Sequence, residues 1–382
     1  MKVVVAPDSF KGSLSAIDAA KAIALGLRRA APDVLVAEVP LADGGEGTLE
    51  CLLNATGGTR VPCEVQDPLG RSITAAYGRI HEDSMDGPVA VIEMAQASGL
   101  GLIPEALRNP LITTTYGTGQ LIRQALDDGC RRFILALGGS ATNDGGAGML
   151  QALGIRLVNR NGESVGYGGG QLGEIAAIHT DEWDSRIAQS EFLIASDVLN
   201  PLLGPQGASH VYGPQKGASP EIVDQLERHM TIWADIVAST TNVRLHGLPG
   251  AGAAGGLCGA FLAFFPATIR PGIDVVTEYA GLERQLADAD LLLTGEGRLD
   301  SQTASGKALL GIVQIAKRHN VPALALAGSV SGDLSLLYEA GLTSAFSIVN
   351  GPMTLEEAMQ QTGDLLADAA EQAFRTFVAR RS

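Results

Sequence analysis

The chain has 382 residues, with 27 basic against 42 acidic side chains and a formal net charge of −15. At about 100–200 residues per domain, that length suggests two domains and a sizeable core. A hydrophobic share of 46% and a charged share of 18% exclude a disordered chain, and the acidic balance excludes a general nucleic-acid binder, which needs a broad positive field.

Residues 2–6 (KVVVA) read as a short buried strand, followed by the loop PDSFKGS and a helix over about 16–30. That helix opens on a capping box, Ser15 with Asp18 three residues on. A strand over 34–39 runs into PLADGGEGT and another helix. Residues 60–94 hold three segments of more alternating character, RVPCEV, ITAAYGRI and VAVIEM, which suit an antiparallel meander. A helix at about 117–128, a buried strand at 132–137, a helix at 146–153 and the strand EFLIAS follow. Leu245 to Ile269 carries no Lys, Arg, Asp or Glu, but its six glycines and two prolines favour a buried glycine-rich helix over a membrane span. From 289 the opening grammar returns: a strand over 289–295, a helix over 308–319, and strands over 322–328 and 344–350. A last helix starts at Thr354 with a capping box to Glu357 and runs towards Arg380.

Near-continuous apolar strands alternating with helices indicate a parallel sheet covered on both faces. The expected fold class is therefore α/β, with a doubly wound parallel-sheet domain made by residues 1–60 plus 284–382. A second, inserted α/β domain occupies 61–283, with the active site expected in the cleft between them. The four cysteines lie far apart with no C-x-x-C pair, so neither a disulfide framework nor a zinc site is suggested. The N-terminal apolar run is too short for a signal peptide, which makes a cytoplasmic location the expectation.

Glycine is the outlier, with 48 residues where roughly 7% is usual. Without a repeat, such density points to tight loops where backbone approaches something closely. In an open parallel sheet ligands sit at the carboxyl ends of strands, and these ends carry the unusual residues. The first strand leads into Asp8, Ser9, Lys11, Gly12 and Ser13, and the second into Asp43, Gly44, Gly45, Glu46 and Gly47. The strand at 289–295 leads into Gly295, Glu296, Gly297, Arg298 and Asp300, then Ser305, Gly306 and Lys307. The inserted domain adds Gly138, Gly139, Ser140, Thr142, Asn143, Asp144, Gly145 and Gly146, and later Asp197 and Asn200.

Glycine-rich turns aim backbone N–H groups at an anion, and lysine adds a point charge. Carboxylates in the same loops would repel that phosphate unless a cation bridges them, so Mg²⁺ is implied. Phosphoryl transfer needs little beyond positioning, charge neutralisation and a carboxylate to take a hydroxyl proton. Any one DGG or GEG triplet is an ordinary turn, so it is the set that argues for function. The P-loop spacing is absent around Ser305-Gly306-Lys307. Two stretches fit G-x-G-x-x-G, Gly168 to Gly173 and Gly250 to Gly255, but only a weak strand candidate (NVRLH) precedes the second. The six histidines show no metal spacing, and Trp183 and Trp233 read as packing.

Six segments, APDSFKGSLSA (6–16), PLADGGEGT (40–48), ALGGSATNDGGAGM (136–149), SDVLNPLLGPQGASHVYGPQKGA (196–218), GAAGGL (252–257) and LLLTGEGRLDSQTASGK (291–307), closely resemble the type-1 glycerate kinases. Cys258 departs from that pattern where another small residue is expected. The resemblance implies ATP-dependent phosphorylation of D-glycerate to 2-phosphoglycerate, and a flavodoxin-like domain interrupted by a second α/β domain. Residue roles are expectations of our own. Lys11, with the N–H groups around Gly12 and Ser13, faces an anionic group, near Asp8 and Ser9. Asp43, Glu46, Glu296 and Asp300 are the Mg²⁺-side carboxylates. Asp197 is the base for the C2 hydroxyl, with Asp144 second in line. Gly44, Gly45, Gly138, Gly139, Ser140, Thr142, Asn143, Asn200, Gly295, Gly297 and Lys307 bind substrate or phosphate, and Arg298 neutralises charge in the transition state.

The expected partners are thus a small-molecule substrate and a nucleotide, with no nucleic acid or membrane; the oligomeric state stays open. Three alternatives remain. They are a glycerate 3-kinase, a nicotinamide-dependent dehydrogenase using Gly250–Gly255, and a non-catalytic anion-binding sensor.

Overall fold

A computed structural model describes residues 1–81, 87–300 and 307–379. In chain order its strands are β1 (Lys2–Val5), β2 (Leu35–Glu38), β3 (Thr59–Gln66), β4 (Ser72–Ile80), β5 (Val89–Glu93), β6 (Arg132–Ala136) and β7 (Arg156–Val158). They continue with β8 (Ala177–His179), β9 (Glu191–Ala195), β10 (Ala267–Arg270), β11 (Leu291–Leu299), β12 (Ala323–Val330) and β13 (Leu342–Ser347). The chain divides into two compact units. The first is Met1–Asp43, Glu50–Thr56 and Pro271–Ser382; the second is Gly44–Leu49 and Gly57–Arg270. The return at Pro271 puts the helix Gly272–Tyr279 in the first unit, ahead of the boundary at 284 expected from sequence.

The first unit is a five-stranded sheet in the order β13-β12-β11-β1-β2, parallel throughout. Val3, Val4 and Val5 are all fully buried, so both faces of β1 are covered, as an unbroken apolar run requires. Helix Ala16–Ala30 starts at Ser15, whose hydroxyl accepts the Asp18 N–H, and it packs on helix Thr362–Ala379. Gly26 permits that approach, since a Cβ there would stand 2.0 Å from the Ala367 carbonyl oxygen. The last helix is not continuous from Thr354. The capping box forms, but the helix Leu355–Gln360 ends at Gln361 and a second begins at Thr362. The expected end at Arg380 lies outside the described residues.

The second unit is a six-stranded mixed sheet in the order β10-β9-β6-β5-β4-β3. β3, β4 and β5 form the antiparallel meander, and β5, β6, β9 and β10 run parallel. Its core gathers Tyr77, Phe133, Phe192, Trp233 and Phe261. The apolar stretch from Leu245 to Ile269 is not one helix. Ala254 and Gly255 take left-handed φ values of 53° and 66°, which end any helical run, so only Leu257–Phe264 is α-helical and Ala267–Arg270 forms β10. Among the described residues no helix is long and apolar enough to cross a membrane.

Candidate active site

In the first unit the loop after β1 is held along β11. The N–H of Asp8 donates to the Gly295 carbonyl at 2.9 Å, and the Thr294 hydroxyl donates to the Ala6 carbonyl at 2.8 Å. That registry places Asp8 beside Glu296, and both line a small cavity with Leu41, Ile273, Leu309 and Ile312. The apolar walls show in the proton affinities. Burial first, and the charge of Asp43 second, push Asp8 up to about 6. Burial first, then Asp8, with smaller contributions from Asp300 and Asp43, push Glu296 up to about 7, and Lys11 opposes both shifts. Asp43 thus bears on both Asp8 and Glu296, and Asp300 bears on Glu296.

Other expectations in this unit change. Arg298 is exposed and its Nε donates to Asp300 at 2.8 Å, so as folded its guanidinium serves a carboxylate. Ser13 shares a hydrogen bond with Thr362 at 2.9 Å, which ties the Lys11 loop to the start of the last helix. Gly12 turns that loop at φ 79°. Gly295 lines the same cavity as Asp8, and it also packs tightly on β12, where a Cβ would meet the Leu326 carbonyl oxygen at 2.1 Å. A Cβ on Gly297 would make ordinary contact with the backbone of Phe10 and Lys11, at 3.6 Å from the Lys11 nitrogen. Ser9 lies half-buried next to Asp8, to whose carboxylate its N–H donates. Lys307 is the first residue of helix Lys307–Arg318, while Ser305 and Gly306 lie outside the described residues.

In the second unit, motifs distant in sequence meet. Gly138, just after β6, touches the turn at Gly45: a Cβ on Gly138 would stand 2.5 Å from the Gly45 Cα. Gly44 turns at φ 90° and Gly47 at φ 92°, and Gly139 turns at φ 75°. Residues 252–256 support the same region, since the Gly145 N–H donates to the Gly255 carbonyl at 3.0 Å. A Cβ on Gly255 would lie 2.0 Å from the Thr142 carbonyl oxygen. Trp233, expected only to pack, also donates its indole N–H to the Gly145 carbonyl at 3.1 Å.

This packing encloses several of the predicted residues. Asp144 is fully buried, and burial pushes its carboxyl well above the usual range. It accepts the Thr115 N–H at 2.8 Å, the Thr115 hydroxyl at 2.9 Å, the Gly146 N–H at 3.1 Å and the Gly148 N–H at 3.3 Å. A side chain so engaged anchors the loop. Thr142 and Asn143 are also fully buried; the Asn143 amide nitrogen donates to the Ser209 hydroxyl, while the Thr142 hydroxyl and the Asn143 amide oxygen find no partner among the described residues. Asn200 is a loop staple: its amide donates to the Gln206 carbonyl and its oxygen accepts the Tyr212 hydroxyl, both at 2.8 Å. Asp197 stays half-buried just past β9, and Gly138, Gly139 and Ser140 keep the outer edge of their turn. Glu46 is exposed and belongs to this unit, where its charge bears on Glu93.

Two residues were missed. Glu93, 1% exposed at the end of β5, accepts the N–H groups of Gly47 and Leu49, each at 3.1 Å, and so caps the helix Thr48–Thr56 from another strand. Lys216, also 1% exposed, donates to Ser140 and to the Thr142 carbonyl. Its position beside glycine was the one sequence signal; Glu93 read as one more residue of the strand VIEM. Neither G-x-G-x-x-G stretch lies between a strand and a helix: Gly168–Gly173 falls largely on a 3₁₀ turn, and no strand precedes Gly250 in 242–249. The dinucleotide geometry is therefore missing.

Compared with known proteins, residues 3–378 match the model of the glycerate kinase family. The chain belongs to the glycerate kinase family. It is similar to a glycerate kinase of Halalkalibacterium halodurans, 47% identical over 96% of each chain, and to the glycerate 2-kinase of Escherichia coli, 44% identical over 97% of this chain and 96% of that one. It also resembles the crystal structure of a Salmonella typhimurium LT2 protein described as a glycerate kinase 2. There the TM-score is 0.87 at 45% identity, covering 100% of this chain and 99% of the other. Membership makes this chain an enzyme, a kinase, and sets aside the dehydrogenase and sensor readings.

As folded, no three His, Cys, Asp or Glu side chains converge on a metal position among the described residues. The charge and donor chemistry of the first-unit group nevertheless suit a hard cation. Its donors are carboxylate oxygens, and Asp8 and Glu296, raised first by burial and then by neighbouring carboxylates, would be held in their charged forms by a divalent ion.

Proposed function

We propose that this glycerate kinase transfers the γ-phosphoryl group of ATP to the C2 hydroxyl of D-glycerate, giving 2-phosphoglycerate and ADP with Mg²⁺ assistance. The observation that carries the reading is the group of Asp8, Asp43, Glu296 and Asp300, with Lys11 beside it, in the loops after β1 and β2 and along the last residues of β11 and just past it. A relative named glycerate 2-kinase supports the position of transfer. We further propose that the first unit is a flavodoxin-like, doubly wound domain interrupted by the second.

In this reading Asp43, Glu296 and Asp300 would hold Mg²⁺, which neutralises phosphate charge and orients the nucleotide when bound. Lys11, at the mouth of that group, attracts a phosphate or the glycerate carboxylate. The Gly44–Gly47 and Gly138–Ser140 turns present backbone N–H groups to anionic oxygen. The C2 oxygen attacks the γ-phosphorus as its proton passes to the Asp197 carboxylate, and the bond to the ADP oxygen breaks. Arg298 reaches the transferred group only by leaving Asp300.

The deciding assay supplies Mg·ATP and D-glycerate and follows phosphoenolpyruvate through enolase. Signal with enolase alone confirms the 2-phosphate. Signal that appears only after phosphoglycerate mutase is added replaces it with the 3-kinase alternative. ADP release without either signal overturns glycerate as the acceptor.

A further inference from the structure

Lys216 has no role in the mechanism above, yet the fold invests in it. Its amino group is almost wholly enclosed, burial pulls its pKa down to about 7, and it donates to Ser140 Oγ at 2.8 Å and to the Thr142 carbonyl at 2.6 Å. Sequestering a lysine charge costs more than two hydrogen bonds return, so a methionine of similar length would serve better as plain filler. A dedicated turn delivers the side chain nonetheless. The 3₁₀ turn Pro214–Lys216 closes on Gly217 at φ 94°, where a Cβ would stand 2.3 Å from the Arg108 carbonyl oxygen.

The consequence falls on Ser140. Its oxygen accepts an N–H from the amino group, so its own O–H is free to point away from Lys216. Ser140 is 8% exposed, and its neighbour Gly139 is open to solvent. The isolated bridge between Gly99 and Ser140, and the Leu100 N–H on the Gly139 carbonyl at 2.8 Å, fix the backbone on the other side. The charged groups set around Lys216 are Asp144, on the same loop as Ser140, whose attraction opposes the effect of burial, and Arg108, on the segment behind Gly217.

We propose that Lys216 is a positioning residue: it holds the Ser140 hydroxyl as a polarised donor to one anionic oxygen of the substrates, at the Gly138–Ser140 turn. This inference rests on the kinase reading. The ligand chemistry is an anionic oxygen, supplied either by the glycerate carboxylate or by a nucleotide phosphate.

The experiment is steady-state kinetics on the full chain, varying D-glycerate and Mg·ATP separately, for wild type, Lys216→Met, Ser140→Ala and the double variant, together with their melting temperatures. Wild-type turnover tests the kinase reading alone; ratios of variant to wild type test the inference. We expect one of the two KM values to rise about ten- to a hundredfold in both single variants, with kcat changed far less. The double variant should be no worse than the more impaired single one, the signature of a shared path. A rise in the glycerate KM identifies the carboxylate as the ligand, and a rise in the ATP KM identifies a phosphate. Lys216→Met should melt at or above the wild-type temperature, which a merely structural lysine would not allow. Both KM values within about twofold of wild type in Ser140→Ala, or losses that multiply in the double variant, overturn the proposal. If Lys216→Met does not fold, Ser140→Ala decides it alone.

Discussion

Gly138 and Gly45 meet backbone to backbone, with room for nothing larger than hydrogen between them. The two glycine motifs of the second unit are therefore one structure, although more than ninety positions of sequence separate them. Such contact requires Gly138 to lack a side chain, and a local turn does not explain it.

Gly138→Ala tests that contact. The added methyl would sit 2.5 Å from the Gly45 Cα, so one turn must move. We expect a stability loss of about 1–3 kcal/mol by chemical denaturation, and a fall in kcat/KM larger than the stability change would cause by itself. An unchanged kcat/KM would show that neither turn touches a substrate.

Glu93→Ala should be among the more damaging changes in the second unit. It strips two N–H groups at the start of helix Thr48–Thr56 of their acceptor, and Leu49 is buried where water does not replace it. We expect a loss of about 1–3 kcal/mol per N–H left unpaired, read as a lower denaturant midpoint. A midpoint within error of wild type would refute the cap.

The acid pair of the first unit predicts a pH dependence. Asp8 rises from 3.8 to about 6 and Glu296 from 4.5 to about 7, each through burial first. The folded chain therefore holds these protons more tightly than the unfolded chain, so their contribution to stability is full below about pH 4 and is lost as pH rises through 6 and 7. In EDTA, Glu296→Gln should gain melting temperature relative to wild type between pH 5 and pH 8. Mg²⁺ should shrink that gain by stabilising the charged wild type at high pH. A gap that stays constant with pH would show that Glu296 is ionised throughout.

Asp197→Asn should lower kcat by about 10²–10⁴-fold with little change in KM, as the loss of a proton acceptor used only in the transition state requires. Near-wild-type kcat in that variant would exclude Asp197 as the base.

Much of this was legible in the chain itself. The loops after β1 and β6 stand where the apolar runs stop, because a strand buried on both faces announces its own end; β2 is an exposed edge strand whose end the PLADGGEGT turn residues marked instead. Burial was less legible. Asp144 reads as a second candidate base beside its glycines, and nothing local announces Thr115, 29 positions upstream, which donates two hydrogen bonds into it. Glu93 was hidden by the opposite effect, a charge in a strand whose partners lie 44 and 46 positions away. β11 ran past its expected end at Gly295 because β12 pairs it as far as Leu299 with Val330, and glycine spacing in EGRL suggested a loop. Local pattern shows where backbone turns; only tertiary contact shows which polar groups the turn encloses.

The sheet of the first unit also dictates a schedule. β1 stands between β2 and β11, and the bond from the Lys2 N–H to Asp290 spans 288 residues. On a ribosome adding about 5–20 residues each second, β1 and β2 emerge at once and then wait tens of seconds for their neighbour. The second unit, nearly continuous in sequence, is fully synthesised during that wait. A newborn chain thus carries an exposed Val-rich edge for much of its synthesis, and chaperones have that interval in which to find it.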